Sequence, residues 1–138
     1  MKTNSIKTLL LFAFISISSF ISAQTYKVGD KLDSGIVYYV DGSGKHGLIA
    51  ATKDCGKLNW GDAVTACNAL GTGWHLPTKD ELTKLYKMSD KVGGFGGAYY
   101  WSSTEMDRTD AWFQDFRGGV QNANDKVSKH DVRAVKTF

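Results

Sequence analysis

The feature that most constrains this chain is where its helical periodicity sits: two helix-forming stretches lie together, enclosed by strand-like segments on both sides. The second stretch has a well-marked start at the chain's single proline. In Pro77-Thr78-Lys79-Asp80-Glu81-Leu82, the Thr78 hydroxyl can accept from the N–H of Glu81, whose carboxylate can reach back to the N–H of Thr78. That is a capping box. Leu82, Leu85 and Tyr86 then fall on one apolar face, and Lys84, Lys87 and Lys91 form an ordinary solvated one. In the first stretch Trp60, Ala63, Val64, Cys67 and Leu70 recur at helical spacing. Asn59 serves as N-cap, Asp62 lies in the first turn and Gly71 ends the helix.

The flanking segments read as strands. Gly35–Val40 is β-branched and aromatic, Asp41–Gly44 is a turn cluster, and Gly47–Ala51 returns, so the three make a hairpin preceded by a short lead-in, Tyr26–Leu32. Downstream, Tyr99–Ser103, Ala111–Phe116 and Val132–Lys136 have strand composition, separated by polar loops over 104–110 and 117–129. Gly93–Gly97 lacks the spacing and context of a phosphate loop and reads as a flexible connection. Helices segregated from antiparallel strands predict an α+β fold with two short helices rather than a doubly wound parallel sheet.

The N-terminus has the three-part layout of a secretory leader: Lys2 and Lys7, an apolar run from Leu9 to Ile21, and a small-residue cleavage site at Ser22-Ala23. The competing reading is a membrane anchor, but a span needs about 20 apolar residues. No transmembrane segment is expected once the leader is gone. Secretion or display at the cell surface follows, with the periplasm as the other compatible compartment. Removing residues 1–23 from 138 leaves 115, a usual size for one domain. The leader takes two of the 17 basic residues, so 15 face 14 acidic ones, and nothing in that balance calls for a nucleic acid. An even pair of cysteines, Cys55 and Cys67, suits one disulfide in an oxidising compartment. The alternative is a buried helical Cys67 beside an unbonded Cys55.

At residue level the chain resembles the Lcl C-terminal domain family, a bacterial branch of the C-type-lectin-like fold. The resemblance is carried by Tyr26–Asp30, Gly35–Val40, His46–Ala51, Trp60 with Ala63 and Cys67, Gly73–Thr78 with Glu81-Leu82, Tyr100–Thr104, Ala111-Trp112 and Val132–Lys136. It implies a domain over residues 24–138 with Trp60, Trp74, Leu76, Trp101 and Trp112 in the core, loops that carry binding, and a role in surface adhesion to polysaccharide. Fold analogy alone does not transfer a ligand. Two departures matter. The proline tripeptide and Trp-Asn-Asp that hold calcium and sugar in calcium-dependent lectins are absent. The last-strand cysteine that usually pairs with the helix cysteine is replaced by Ala134, which leaves Cys55 as the candidate partner of Cys67.

No catalytic group assembles in the sequence. His46, His75 and His130 are too scattered for a zinc motif, and His46 and His75 read as structural. Ser128, His130 and Asp131 have triad residue types without a nucleophile elbow around the serine. Candidate binding residues are the oxygen-bearing Glu105, Asp107 and Asp110 between two strands, and Asn122, Asn124 and Asp125 in the following loop. Calcium needs about six to eight oxygens, some of which these could supply, although no EF-hand spacing is present. Arg117 can pair with a carboxylate or sulfate. One of each neighbouring pair, Tyr99/Tyr100 and Trp112/Phe113, should face away from the core and offer a ring to a sugar. The expectation is a non-enzymatic binding or adhesion module for a glycan or another extracellular ligand. The alternatives are an assembly protein contacting envelope proteins and an enzyme using reactive cysteines.

Overall fold

The computed structural model describes residues 23–138. Apart from Ala23, the leader expected over residues 1–23 lies outside the described residues. Among those residues, no helix is long and apolar enough to cross a membrane.

The described chain runs β1 (Lys31–Leu32), β2 (Gly35–Val40), β3 (Gly47–Ala51), β4 (Gly56–Leu58), α1 (Trp60–Asn68), α2 (Lys79–Lys87), α3 (Ser89–Val92), β5 (Tyr99–Glu105), β6 (Asp110–Asp115), β7 (Gln121–Asp125), β8 (His130–Val132) and β9 (Val135–Thr137). Two sheets form, in the orders β1-β2-β3-β9 and β4-β8-β5-β6-β7. All pairings are antiparallel except β5 with β8. The architecture is α+β, as the segregation of helices from strands requires.

Local chemistry fixes the helices as expected. Asn59 caps α1 by accepting from the N–H of Asp62, and both halves of the Thr78/Glu81 capping box are made at the start of α2. The hairpin of β2 and β3 pairs Gly35 with Ala51 through Val40 with Gly47, with a register shift between Val37 and Tyr39.

Both faces of this hairpin are buried. Val37 packs in one core cluster with Ile49, Ala63, Cys67, Leu76, Trp101 and Val132, whereas Tyr38 packs in another with Leu48, Leu82, Leu85, Tyr100 and Val135. Each sheet therefore lends one face to each cluster. Helix α1 lies on β5 and β8 on one side, and α2 lies on β2, β5 and β6 on the other. A strand covered on both faces loses polar alternation, hence the unbroken apolar runs of β2 and β3.

Four expectations need correcting. The stretch read as a polar loop over 117–129 contains strand β7, so Asn122, Asn124 and Asp125 sit on a strand. Its residues Gln121-Asn122-Ala123-Asn124-Asp125 are poor in β-formers, but the ladder to β6 holds them extended. The single last strand expected over 132–136 is two, β8 and β9, and they belong to different sheets with Ala134 between them. Of the five expected core residues, Trp74, Leu76 and Trp101 are buried. Trp60 and Trp112 are only partly covered, because each indole lies at the margin under a lysine: Lys126 over Trp60 and Lys79 over Trp112.

The glycine run Gly93–Gly97 is clamped rather than loose. Arg133, 0 % exposed, donates from Nη1 to the carbonyls of Ala51 (3.0 Å) and Gly93 (3.1 Å), from Nη2 to that of Gly94, and from Nε to Asp54 Oδ1 (2.7 Å). Its guanidinium also stacks 4.1 Å from the Phe95 ring centre. Tyr100 Oη completes the network by donating to Asp54 Oδ2 at 2.8 Å.

Candidate functional site

The structure divides the candidate residues into two groups on the five-stranded sheet. Glu105, Asp107, Asp110 and Asp125 gather where β5 ends, β6 begins and β7 ends. Their centre is held by Lys126. Its ammonium donates to Glu105 Oε2 (2.6 Å) and to the carbonyls of Asp107 (3.0 Å) and Arg108 (2.8 Å), and it lies over the Trp60 ring. Asp107 Oδ1 is spent on the turn, accepting from the N–H groups of Thr109 and Asp110 and from the Thr109 hydroxyl; these bonds keep its carboxyl below the usual carboxylate range. Asp125 Oδ1 likewise accepts from the N–H of Val127. Among these carboxylates only that of Glu105 meets the Lys126 ammonium, while Asp107 Oδ1 and Asp125 Oδ1 are engaged by backbone N–H groups, which leaves few of the about six to eight oxygens that calcium takes. Among the described residues, no group of three or more His, Cys, Asp or Glu side chains could hold a metal ion.

The second group is Arg117, Asn122 and Asn124. On β5, β6 and β7 the alternation puts Tyr99 and Trp101, Ala111 and Phe113, and Asn122 and Asn124 on the same face, with Trp101 opposite Phe113 and Phe113 opposite Asn122. His130 of β8 joins them. Helix α1 covers this face around Trp101 and Val132, and beyond it the face is open.

There Tyr99, 45 % exposed, stands edge-on to Phe113 (5.3 Å between ring centres) and to His130 (5.8 Å). It separates two recesses. One, of about 340 Å³, is bounded by Lys57, Gly97, Arg117, His130 and Asp131; the other, of about 210 Å³, by Phe113, Asp115, Val120 and Asn122. Gly97 is required at the rim, since a Cβ there would run into the Asp131 carboxylate.

Electrostatics sharpen this face. Asn124 Nδ2 donates to His130 Nε2 at 3.2 Å, which puts the neutral ring's proton on Nδ1. Burial, and then the nearby Lys57 charge, hold the His130 pKa below its ordinary value. Asp131 is shifted up by burial and by the Asp54 charge. The exposed Arg117 guanidinium makes no ion pair among the described residues. An aromatic ridge with amide, guanidinium and ammonium groups beside it can present an apolar face to a ring and hydrogen bonds to its edge.

Sequence reasoning located Tyr99, Arg117 and the two asparagines but not how β7 aligns them. It missed Lys57, Lys126 and the Arg133–Asp54 pair, each defined by partners far along the chain. The expected exposure of one residue per aromatic pair holds for Tyr99 against the buried Tyr100, while Trp112 and Phe113 are both half-buried. His75 is structural, held between Glu81 Oε2 and the Gly73 carbonyl, both at 3.0 Å. Cys55 and Cys67 lie together as two thiols, with no bond between them in this structure.

Comparison with known proteins agrees with this geometry. Botrocetin superposes with a TM-score of 0.51 at 12% identity, covering 72% of this chain and 95% of its own. The snake venom toxin convulxin does so with a TM-score of 0.51 at 14% identity, covering 78% and 97%. At such identity the likeness establishes the fold, which is C-type-lectin-like. No curated protein sequence matches the chain. Residues 43–136, spanning every element from β3 to the middle of β9, match the Lcl C-terminal domain, and the chain therefore belongs to the Lcl C-terminal domain family.

Proposed function

We propose that this protein is an exported binding module whose ligand is an extracellular glycan, held without calcium on the open face of the five-stranded sheet. The observation that carries the reading is Tyr99. A large ring left 45 % exposed between two recesses, and propped by Phe113 and His130 rather than free to turn, is the arrangement a sugar ring stacks on. Asn122 offers an amide to hydroxyls. Lys57 and Arg117 favour a glycan bearing a carboxylate or sulfate, since guanidinium pairs with such groups in a two-point geometry. Export by the leader at residues 1–23 supplies the compartment.

The test is a glycan array probed with the purified domain, in calcium and in chelator. The reading expects signals on uronate- or sulfate-bearing glycans, equal in both conditions and lost in Tyr99→Ala. Silence across acidic and neutral glycans, or binding untouched by Tyr99→Ala, would sink it. The assembly-protein alternative needs one large apolar patch. Among the described residues the most exposed apolar side chains are split between the two ends of the sheet, Val127 and Met106 at the Lys126 end and Val120 in the β6–β7 turn.

A further inference from the structure

We propose that Cys55 and Cys67 form a thiol–disulfide exchange site, in which Cys55 attacks a small disulfide held in the adjoining pocket and Cys67 resolves the product. This site is separate from the glycan face. The pocket, of about 580 Å³, opens between the β3–β4 connection and α1. Its apolar wall is Ala66, Leu70 and Trp74, and Lys53 and Asp54 stand beside the half-buried Cys55. Asp54 is already paired with Arg133, so the exposed Lys53 is the charge offered at the mouth, and it suits a carboxylate of a low-molecular-weight disulfide.

The two sulfurs have unequal roles. Cys55 lines the pocket, whereas Cys67, 0 % exposed, lies behind it in α1. Cys55 packs against the buried cluster that contains Cys67. Hydrogen bonding from the Cys67 thiol brings the Cys55 pKa down to about 7 against the opposing effects of burial and the Asp54 charge, with the Ala134 N–H and the Arg133 charge assisting. Cys67 moves the other way, pushed up by the hydrogen bond it donates to Cys55 and by burial. The thiolate, which is the attacking species, therefore sits at the accessible sulfur, and the proton is kept on the buried one.

The chemistry balances. The Cys55 thiolate attacks one sulfur of R–S–S–R, a Cys55–S–S–R bond forms, and R–S⁻ leaves. That thiolate takes the Cys67 proton, the Cys67 sulfur attacks the Cys55 sulfur, and the second R–S⁻ is expelled and picks up a proton from solvent. Two electrons pass from the pair to the substrate disulfide, leaving a Cys55–Cys67 disulfide and two small thiols. Excess small thiol drives the reverse. A purely structural cystine would instead resist reduction in the folded protein.

The experiment exposes the reduced, folded protein to oxidised glutathione and follows intact mass. Wild type should lose two hydrogens and keep no adduct, then recover both thiols in reduced glutathione without denaturant. Cys67→Ser should retain one glutathione, its formation rising with pH around neutrality. In Cys55→Ser, adduct formation should fall at least about tenfold, because the remaining thiol is buried and protonated. Cys67→Ala substitutes where the serine variant does not fold. Thiols that react only after unfolding, or a wild-type disulfide that native glutathione cannot reduce, would overturn the proposal.

Discussion

Arg133→Met is the sharpest perturbation this fold offers. The side chain is fully buried, and methionine can follow its path without the charge. The change removes four hydrogen bonds, to Asp54 Oδ1 and to the carbonyls of Ala51, Gly93 and Gly94. Gly93 and Gly94 lie in a connection that water can reach, so their carbonyls recover most of what they lose. Asp54 is the larger cost. Its side chain is 17% exposed, and Tyr100 Oη and the N–H of Gly96 remain its donors. Breaking one partner of a buried pair costs about 3–5 kcal/mol. Partial access of Asp54 to solvent and its retained donors place this case near 3 kcal/mol, about a 10 °C fall in Tm for a domain of this size.

Urea unfolding of Arg133→Met, Asp54→Asn and the double variant measures it. The double variant should lose well under the sum of the singles, with a coupling of at least about 1 kcal/mol. Amides of Gly93–Gly97 should exchange faster in Arg133→Met at equal global stability, since the clamp is local. A loss below about 1 kcal/mol, or additive singles, would refute the claim that this pair fastens the glycine connection.

Three further outcomes follow from the site. Lys126→Met takes away an ammonium bonded to one largely exposed carboxylate and two carbonyls, so urea unfolding should show a loss of about 1–2 kcal/mol; calcium titrated into wild type should leave its Tm unchanged. The Glu81 hydrogen bond raises the His75 pKa, so its stabilisation is complete below the unfolded value of about 6.5 and fades as pH rises through the folded one. Burial would raise the Glu81 pKa, but hydrogen bonds from His75 and Thr78 win and lower it; that contribution is lost as pH falls through the folded carboxyl value. The Tm gap between wild type and His75→Gln should therefore be widest just below the ordinary histidine value of about 6.5 and narrow as pH rises through the raised His75 value, and a gap that widens upward would contradict the pairing. His130, held neutral by burial and Lys57, should charge only in acid, and binding of a sulfate-bearing glycan measured by calorimetry should strengthen there as a third cation joins Lys57 and Arg117 around the recess.

What was legible in the sequence was what neighbours decide. Thr78 and Glu81 are three residues apart, Asn59 and Asp62 likewise, and the turn at Asp41–Gly44 sits between its own strands; each reading stands. The segregation of helical from strand-like stretches carried the α+β assignment, and the family motifs carried the lectin-like one because most of them are packing residues. What was not legible depends on partners distant in sequence. Strand β7 has almost no β-forming side chains, and only β6 tells Asn122 and Asn124 which way to point. Lys126 has the composition of a loop lysine until Glu105, Asp107 and Arg108 are brought around it. The split at Ala134 is hidden because β8 and β9 have the same apolar character while serving different sheets.

The location of the open face has a simple physical cause. Helix α1 has nine residues, about 14 Å at 1.5 Å per residue. Five strands spaced about 4.8 Å apart present about 19 Å from edge to edge. One short helix cannot cover that width. A small residue helps decide where it settles: Ala63, fully buried, lets the helix lie on β5 and β8 over Trp101 and Val132. The remaining surface must then be finished by side chains alone. Phe113, His130 and Tyr99 do so by packing against one another, which shields the first two and leaves Tyr99 as the outermost ring. The exposed aromatic is thus a consequence of a helix too short for its sheet, and lengthening the cover there would stabilise the domain while closing the face on which its ligand is proposed to sit.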